Sequence, residues 1–417
     1  MASGHGYGNV GDEAQCGACI DRWREVAPDA RITVFTPSTP YTSALHNVHV
    51  AWAPRVAWFC SNTGGAYSWP FKYFALYFFF LRLRLVSTAW LMRLGLPIQL
   101  CNPRESGVLY EIFDNDILHI SGGGFLTGKT RTRLWENGLL MEIAGILKTK
   151  VVLTGHNIGV FQDKIDERII RRGLKYASFI GLRDKGLSEA ELKEIGVSGK
   201  HVVSSCDDAL LCGSLSDIER DQLIAATGAD PSKPWIAVNL HYWGLCDEAK
   251  VKLVNRFTEG CQLLMDNYGV QLLFIAMISS DQEAEQEVIK KLNGPAFQIP
   301  YSPDYKVSRS IIKGADFVFT MKHHPIVFAQ GEGVPVLSIA VDPYYELKNK
   351  GALKNTGHEN FVLNAEQFYG EVLVEAIHSL SNNLTTVSKE MKEWGKTMKM
   401  QELSPYQQFL KFLDSGS

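Results

Sequence analysis

The sequence predicts an α/β protein made of two Rossmann-like halves, and three observations carry that expectation. Short β-branched or apolar runs alternate with helix-period stretches along most of the chain, the pattern of parallel sheets covered by helices on both faces. The 417 residues exceed what one hydrophobic core usually organises, and 46% of them are apolar, enough to fill two cores. The alternation pauses at LIAATGADPSKPW (223–235), where Gly228, Pro231, Ser232 and Pro234 cluster as turn formers. The expected division is a domain over 1–226, a second over 235–384, and a charged helical tail over 385–417 able to pack back on the first half.

Within the first half the expected strands are RITVFTP (31–37), HVAWA (49–53), ILHIS (117–121), KVVLTG (150–155) and ASFIGL (177–182). TRLWENGLLMEIAGIL, KIDERIIRRGL and GLSEAELKEIG between the later ones have helical apolar spacing, and the last is followed by the glycine that ends helices. The second series is WIAVNLHYW (235–243), QLLFIAM (271–277), AFQIP (296–300), DFVFTM (316–321) and PVLSIA (335–340), again with helices between.

Composition excludes several classes. Lys and Arg (42) nearly balance Asp and Glu (45), for a net charge of -3, so no overall positive field exists to hold a nucleic acid. Eight scattered cysteines fit reduced thiols in a cytoplasm better than a disulfide framework. Cys16 and Cys19 alone have a metal-like spacing; without a second pair they read as small residues on one helix face, and no structural zinc is expected. The N-terminal segment has no apolar h-region. The stretch 69–100 is the most apolar, but Lys72, Arg82, Arg84 and Arg93 interrupt it before about 18 uncharged residues accumulate. It reads either as a helix lying in a membrane interface, a peripheral contact able to meet a lipid-linked substrate, or as a buried helix with snorkelling arginines.

In open α/β sheets ligands sit at the carboxyl ends of strands, and five loops there carry chemistry. GYGNVGDEAQ (6–15) offers Asn9, two glycines for tight turns, and Asp12 to cap a helix beginning at Glu13. HISGGGFLTG (119–128) places Gly122, Gly123 and Gly124 directly after a strand, for a close ligand or backbone contact, or for tight strand–helix packing; it is neither GxGxxG nor a P-loop. LTGHNIGV (153–160) puts His156 and Asn157 at another strand end. Arg183, between a strand and a helix, offers a planar fork to phosphate or carboxylate, or a surface ion pair with Asp184 or a neighbour. FTMKHHPIVFAQGEGVPVL (319–337) is the fullest: Lys322, His323 and His324 fall where DFVFTM meets a helix, with His324 at its N-cap and Pro325 in its first turn. Helix N-termini favour anions, and these side chains add donors. Adjacent histidines rarely point together and no third ligand is evident, so a metal is not expected.

The order of these loops resembles the polysaccharide pyruvyl transferase family, with its GNxGDEA-type motif (Asn9 to Ala14), GGG loop (Ser121 to Leu126), RD-x-x-S-like segment (Arg183 to Ser188) and R-x-H…GVPV segment (Lys322 to Val336). The resemblance implies a GT-B-like architecture, two Rossmann-like domains facing a cleft, the first on the acceptor side with part of the donor site and the second on the donor side. It implies transfer of a pyruvyl group from phosphoenolpyruvate to two hydroxyls of a sugar, in a polysaccharide, glycan or lipid-linked precursor, as a cyclic ketal. No cofactor is implied, phosphoenolpyruvate being the donor substrate. Arg183 and His324 match the family's donor-contacting arginine and histidine. His324 is then the acid/base candidate and Arg183 stabilises the departing phosphate. The chain departs from the family in having Lys322-His323-His324 for R-x-H, and Tyr344 where a lysine follows Asp-Pro, with Lys348 or Lys350 as substitutes. It also lacks the strand that ordinarily precedes the first motif. The other functions this pattern allows are a GT-B glycosyltransferase using a nucleotide-sugar, and a non-enzymatic glycan- or membrane-binding module.

Overall fold

The computed structural model describes residues 1–2, 4–59, 70–96, 100–184, 186–199, 201–242, 245–364 and 368–414. The chain forms two compact units: Met1–Tyr7, Gln15–Asp208 and Ser404–Ser417 make the first, and Gly8–Ala14 with Ala209–Leu403 the second. The elements up to the first boundary are α1 (Val10–Val26), β1 (Thr33–Thr36), α2 (Thr39–His46), β2 (His49–Trp52), α3 (Pro54–Phe59), α4 (Phe71–Arg93), α5 (Pro103–Phe113), β3 (Ile117–Ile120), β4 (Gly123–Thr127), α6 (Arg131–Leu147), β5 (Lys150–Gly159), α7 (Lys164–Leu174), β6 (Ala177–Leu182), α8 (Leu187–Glu194) and β7 (Val202–Ser204). After it come α9 (Asp217–Ala226), β8 (Trp235–Asn239), α10 (Asp247–Tyr268), β9 (Gln271–Ile275), α11 (Asp281–Ile289), β10 (Ala296–Ile299), α12 (Tyr305–Lys313), β11 (Phe317–Thr320), α13 (His323–Glu332), β12 (Val336–Ala340), α14 (Pro343–Lys354), β13 (Val362–Asn364) and α15 (Gly370–Asp414).

The unit boundary is a correction to the sequence-based one. It falls between Asp208 and Ala209, ahead of the turn at 223–235, because the segment after it packs on second-unit helices: Arg309 donates to the Ala209 carbonyl at 3.0 Å and Ser310 accepts from the Leu215 amide at 2.7 Å. The Pro/Gly-rich turn merely joins α9 to β8. The tail's bounds are corrected, since residues 385–414 continue the long α15; its end, from Ser404 on, belongs to the first unit as expected, with Tyr406 packed on Trp23.

In the first unit β5 is the spine. Its first half pairs in parallel with β3 and its second half with β4, while β6 and β7 continue the sheet on its other side. Thus β3 and β4 are one strand broken at Ser121-Gly122, and sequence reading missed both β4 and β7. A separate parallel pair joins β1 to β2. Met1 and Ala2 bridge it to β3: Phe35 donates to the Met1 carbonyl at 2.9 Å and Ala2 donates to the His119 carbonyl at 2.8 Å. The core comes from the inner faces of α4, α5 and α6 with β3 and β5.

The second unit is a six-stranded parallel sheet in the order β10-β9-β8-β11-β12-β13. Its central strands are buried at every position, which is why they read as continuous apolar runs. The carboxyl ends of β8 and β11 are neighbours, Asn239 lying opposite Thr320.

Candidate functional site

At the carboxyl ends of the first unit's strands Arg183 and Asn157 enter a buried polar lattice. Arg183 comes directly after β6; its Nη1 donates to Asp207 and its Nε to the Asn157 side-chain carbonyl. Asp207 also accepts from Gln15 Nε2 at 2.9 and 3.0 Å. Asn157 passes the connection on, donating at 2.5 Å to Asp184, whose carboxylate caps α8 through the Ser188 amide at 2.8 Å. The RD-x-x-S spacing is therefore a helix-capping device that also fixes the arginine. Only 3% of the Arg183 side chain and 5% of that of Asp207 meet solvent. Of the alternatives read from sequence, the ion pair is real but buried, and its partner is Asp207, not Asp184.

The triple glycine has a specific use. Gly122 donates its N–H to Asp208 at 2.6 Å, and a Cβ there would stand 2.8 Å from both that carboxylate and the Gly155 carbonyl. Asp208 accepts in addition from Thr154 Oγ1 at 2.8 Å. Gly123 begins β4, where a Cβ would strike the Phe125 ring, and Gly124 continues the strand half-buried. The close approach is thus to the protein itself, and the glycines lead into a strand, not a helix. His156 is corrected in position: it lies inside β5, fully buried, donating from Nε2 to the Ile120 carbonyl at 3.1 Å. Burial pushes its pKa down to about 4, so it is a neutral ring of the core.

The second unit gathers a different set. Helix α1 begins at Val10, earlier than expected, with Asn9 as its cap: the Asn9 carbonyl accepts from Glu13 at 3.0 Å and its side chain from Gly11 at 3.1 Å. Asp12 lies in the first turn, where an acid suits the helix dipole. Val10 donates to the Met277 carbonyl at 2.9 Å and Tyr301 donates to the Gly8 carbonyl, so this loop is anchored at the ends of β9 and β10. Gly11 makes room for His324: a Cβ at position 11 would stand 1.9 Å from His324 Nδ1 and 2.0 Å from its Cγ. Two motifs more than three hundred residues apart thereby meet, and the glycine of GNVGDEA is explained by the histidine it admits.

The start of α13 is also corrected. Its N-cap is Lys322, with His323 and His324 as the first two helical residues. Lys322 contributes no cap hydrogen bond; its ammonium pairs with Asp281 at 3.0 Å. Burial lowers its pKa and Asp281 opposes that fall. Asp281, the first residue of α11, also accepts from His241 Nδ1 at 2.6 Å and from the amides of Met277 (2.9 Å) and Ile278 (3.2 Å). Burial acts to raise its pKa, but His241 and Lys322 hold it below the ordinary value. One turn on, Glu285 is pushed well above the carboxylate range by burial and then by Asp281. His323 is buried, Lys348 lies half-buried on α14, and Lys350 is taken by Glu346 at 2.5 Å.

His241, Asp281, Asp207 and Gln15 were not singled out from sequence. His241 was hidden in the apolar run WIAVNLHYW, although it stands two residues past the carboxyl end of a central strand. Among possible sugar-stacking aromatics, Trp135 is buried and donates to Asp166 at 2.6 Å, and Tyr242 donates to Glu287 at 2.9 Å; Trp69 and Trp243 lie outside the described residues. Among those residues no group of three or more His, Cys, Asp or Glu is placed to hold a metal.

Two parallel-sheet α/β units with polar groups at their strand ends define the GT-B class, and solved structures agree at the level of fold. Anabaena HepE with UDP and glucose matches at TM-score 0.55 and 14% identity over 100% of this chain and 99% of that one. A UDP-N-acetylglucosamine 2-epimerase of Neisseria meningitidis bound to UDP-GlcNAc gives 0.56 and 11%, over 97% and 98%. A putative UDP-N-acetylglucosamine 2-epimerase of Listeria monocytogenes gives 0.60 and 12%, over 99% and 96%. No curated protein matches the sequence. The polysaccharide pyruvyl transferase family model matches residues 9–343; the chain belongs to that family and is a transferase.

Proposed function

We propose that the protein transfers the pyruvyl group of phosphoenolpyruvate to two hydroxyls of a sugar, closing a cyclic ketal and releasing phosphate. The observation that carries this is the seating of His324 on Gly11, which brings two of the family's motifs to one place at the strand ends of the second unit. The donor's methylene carbon must gain a proton as carbon 2 accepts an oxygen, and an imidazole gives and takes protons near neutral pH. His324 is assigned that role. Arg183 is assigned to the donor phosphate, with its guanidinium already oriented by Asp207 and Asn157. The helix starts at Asn9 and Lys322 add backbone donors suited to an anion. The decisive experiment incubates the protein with phosphoenolpyruvate or UDP-sugars and a panel of galactosides, glucosides and N-acetylmannosamine. Phosphate release with phosphoenolpyruvate supports the reading; nucleotide release from UDP-sugars alone makes the protein a glycosyltransferase.

We further propose that α4 rests on an anionic membrane surface and meets a lipid-linked acceptor there. Phe74, Phe78, Leu81 and Leu85 are buried, while Tyr73, Leu76, Phe80, Leu83 and Trp90 form an exposed apolar stripe at helical spacing. Residues 30–104 contain seven basic and no acidic side chains, a charge asymmetry that suits anionic headgroups. Arg82 and Arg84 are committed to Glu142 and Glu105, so the informative variant is Leu76→Glu with Leu83→Glu. Flotation of the parent but not this variant with phosphatidylglycerol vesicles is expected. A parent that stays with the pellet removes the membrane contact and leaves the transfer reading intact.

A further inference from the structure

We infer that His241 is a second proton-transferring residue of this reaction, its Nε2 taking the proton from the first attacking sugar hydroxyl; the inference rests on the pyruvyl-transfer reading above. The sheet itself places it. Strands β8 and β11 are paired with Asn239 opposite Thr320, so His241 and Lys322 each stand two residues beyond the same rung. Both reach Asp281, whose side chain is fully buried. Asp281 takes the Nδ1 hydrogen at 2.6 Å, and a carboxylate at Nδ1 fixes the tautomer that leaves a lone pair on Nε2. No described residue hydrogen-bonds Nε2, and 9% of the side chain stays open. Burial first, and Lys322 after it, lower the ring's pKa, while Asp281 opposes them. The ring is thereby kept neutral and ready to accept a proton at neutral pH.

The chemistry requires such a group. Phosphoenolpyruvate and two hydroxyls become a ketal and hydrogen phosphate: of the two O–H protons lost, one is matched by the proton gained at the methylene carbon and the other leaves with phosphate. A single imidazole cannot give a proton to carbon while taking one from oxygen. With two, the first hydroxyl oxygen bonds to carbon 2 as His241 takes its proton and His324 protonates the methylene carbon. The carbon–oxygen bond to phosphate then breaks as His241 returns its proton to the leaving group. Neutral His324 takes the proton of the second hydroxyl as the ring closes, and both imidazoles regain their starting states.

The test uses the full chain with His241→Gln and His241→Ala, phosphate release with phosphoenolpyruvate and the acceptor panel, and phosphoenolpyruvate binding by thermal shift. The expected result is kcat lowered at least about 100-fold, donor binding within about twofold of the parent, and partial recovery of His241→Ala by added imidazole. Imidazole rescue separates a proton-transfer role from a structural one, even where one variant folds poorly. A His241→Gln rate within about threefold of the parent, or a slow His241→Ala that imidazole does not rescue, overturns this assignment alone. A parent that neither binds phosphoenolpyruvate nor releases phosphate from it overturns the pyruvyl-transfer reading, and this assignment with it.

Discussion

The strand ends of the two units use the same kind of residue for opposite purposes. In the first unit the polar groups are turned on one another: Trp23 donates to His119 at 2.9 Å, His119 to Thr154 at 2.8 Å, and Thr154 to Asp208, which Gly122 also reaches. The Arg183–Asp207–Gln15 and Asn157–Asp184–Ser188 groups extend the same buried lattice. In the second unit a buried carboxylate, Asp281, collects a histidine on one oxygen and a lysine on the other, and the imidazole's far nitrogen takes no bond from the described residues. A lattice of buried polar pairs rigidifies; an imidazole oriented by a carboxylate, with its other nitrogen open, is a tool for moving protons. Residue type at a strand end therefore does not separate scaffold from chemistry; the partner that orients the side chain and the solvent it still meets do.

The sharpest way to break that contrast is Arg183→Ala. Removing one partner of a buried ion pair leaves Asp207 charged and uncompensated, which costs about 3–5 kcal/mol. Urea unfolding monitored by fluorescence should show a loss of that size, and His324→Ala should keep the parental midpoint while phosphate release disappears. Donor binding should be lost in Arg183→Ala as well, as the assignment of Arg183 to the phosphate requires; an Arg183→Ala protein that unfolds with the parent would mean that the lattice gains no stability from the arginine and that the contrast between the units fails.

Periodicity decided how much of the fold was legible in the sequence. Ten strands were legible because they are apolar and bounded by turn formers, and β6 and the six-stranded sheet's central members fall within the expected runs. Strand β4 was not, since its glycines read as a loop and its pairing depends on the long β5, a partner no local window contains. The unit boundary was misplaced because a Pro/Gly cluster marks any turn, while the true change at Asp208 carries no turn signal and is set by long-range packing onto α12. Of the residues at the strand ends, Asn9, Arg183 and His324 were singled out by motif order. Asp281 and His241 were not, because an acid opening a helix and a histidine ending an apolar run are ordinary until the sheet brings them within 2.6 Å.

A gentler probe sharpens the second unit's side of the comparison. Gly11 is helical, where alanine would ordinarily be favoured by about 1 kcal/mol, so Gly11→Ala should stabilise the protein if nothing stood in the way. The methyl group would instead meet the His324 ring at 1.9–2.4 Å, a clash that a side chain must relieve by moving, and overpacking of this kind costs about 1–3 kcal/mol. The expected outcome is a net destabilisation smaller than that of Arg183→Ala, joined by a loss of phosphate release as the imidazole is pushed from its seat. Both are read from one sample, by urea midpoint and by turnover. Gly11→Ala that is more stable than the parent and equally active would mean that the ring does not rest on this glycine, and the meeting of the two motifs would lose its physical basis.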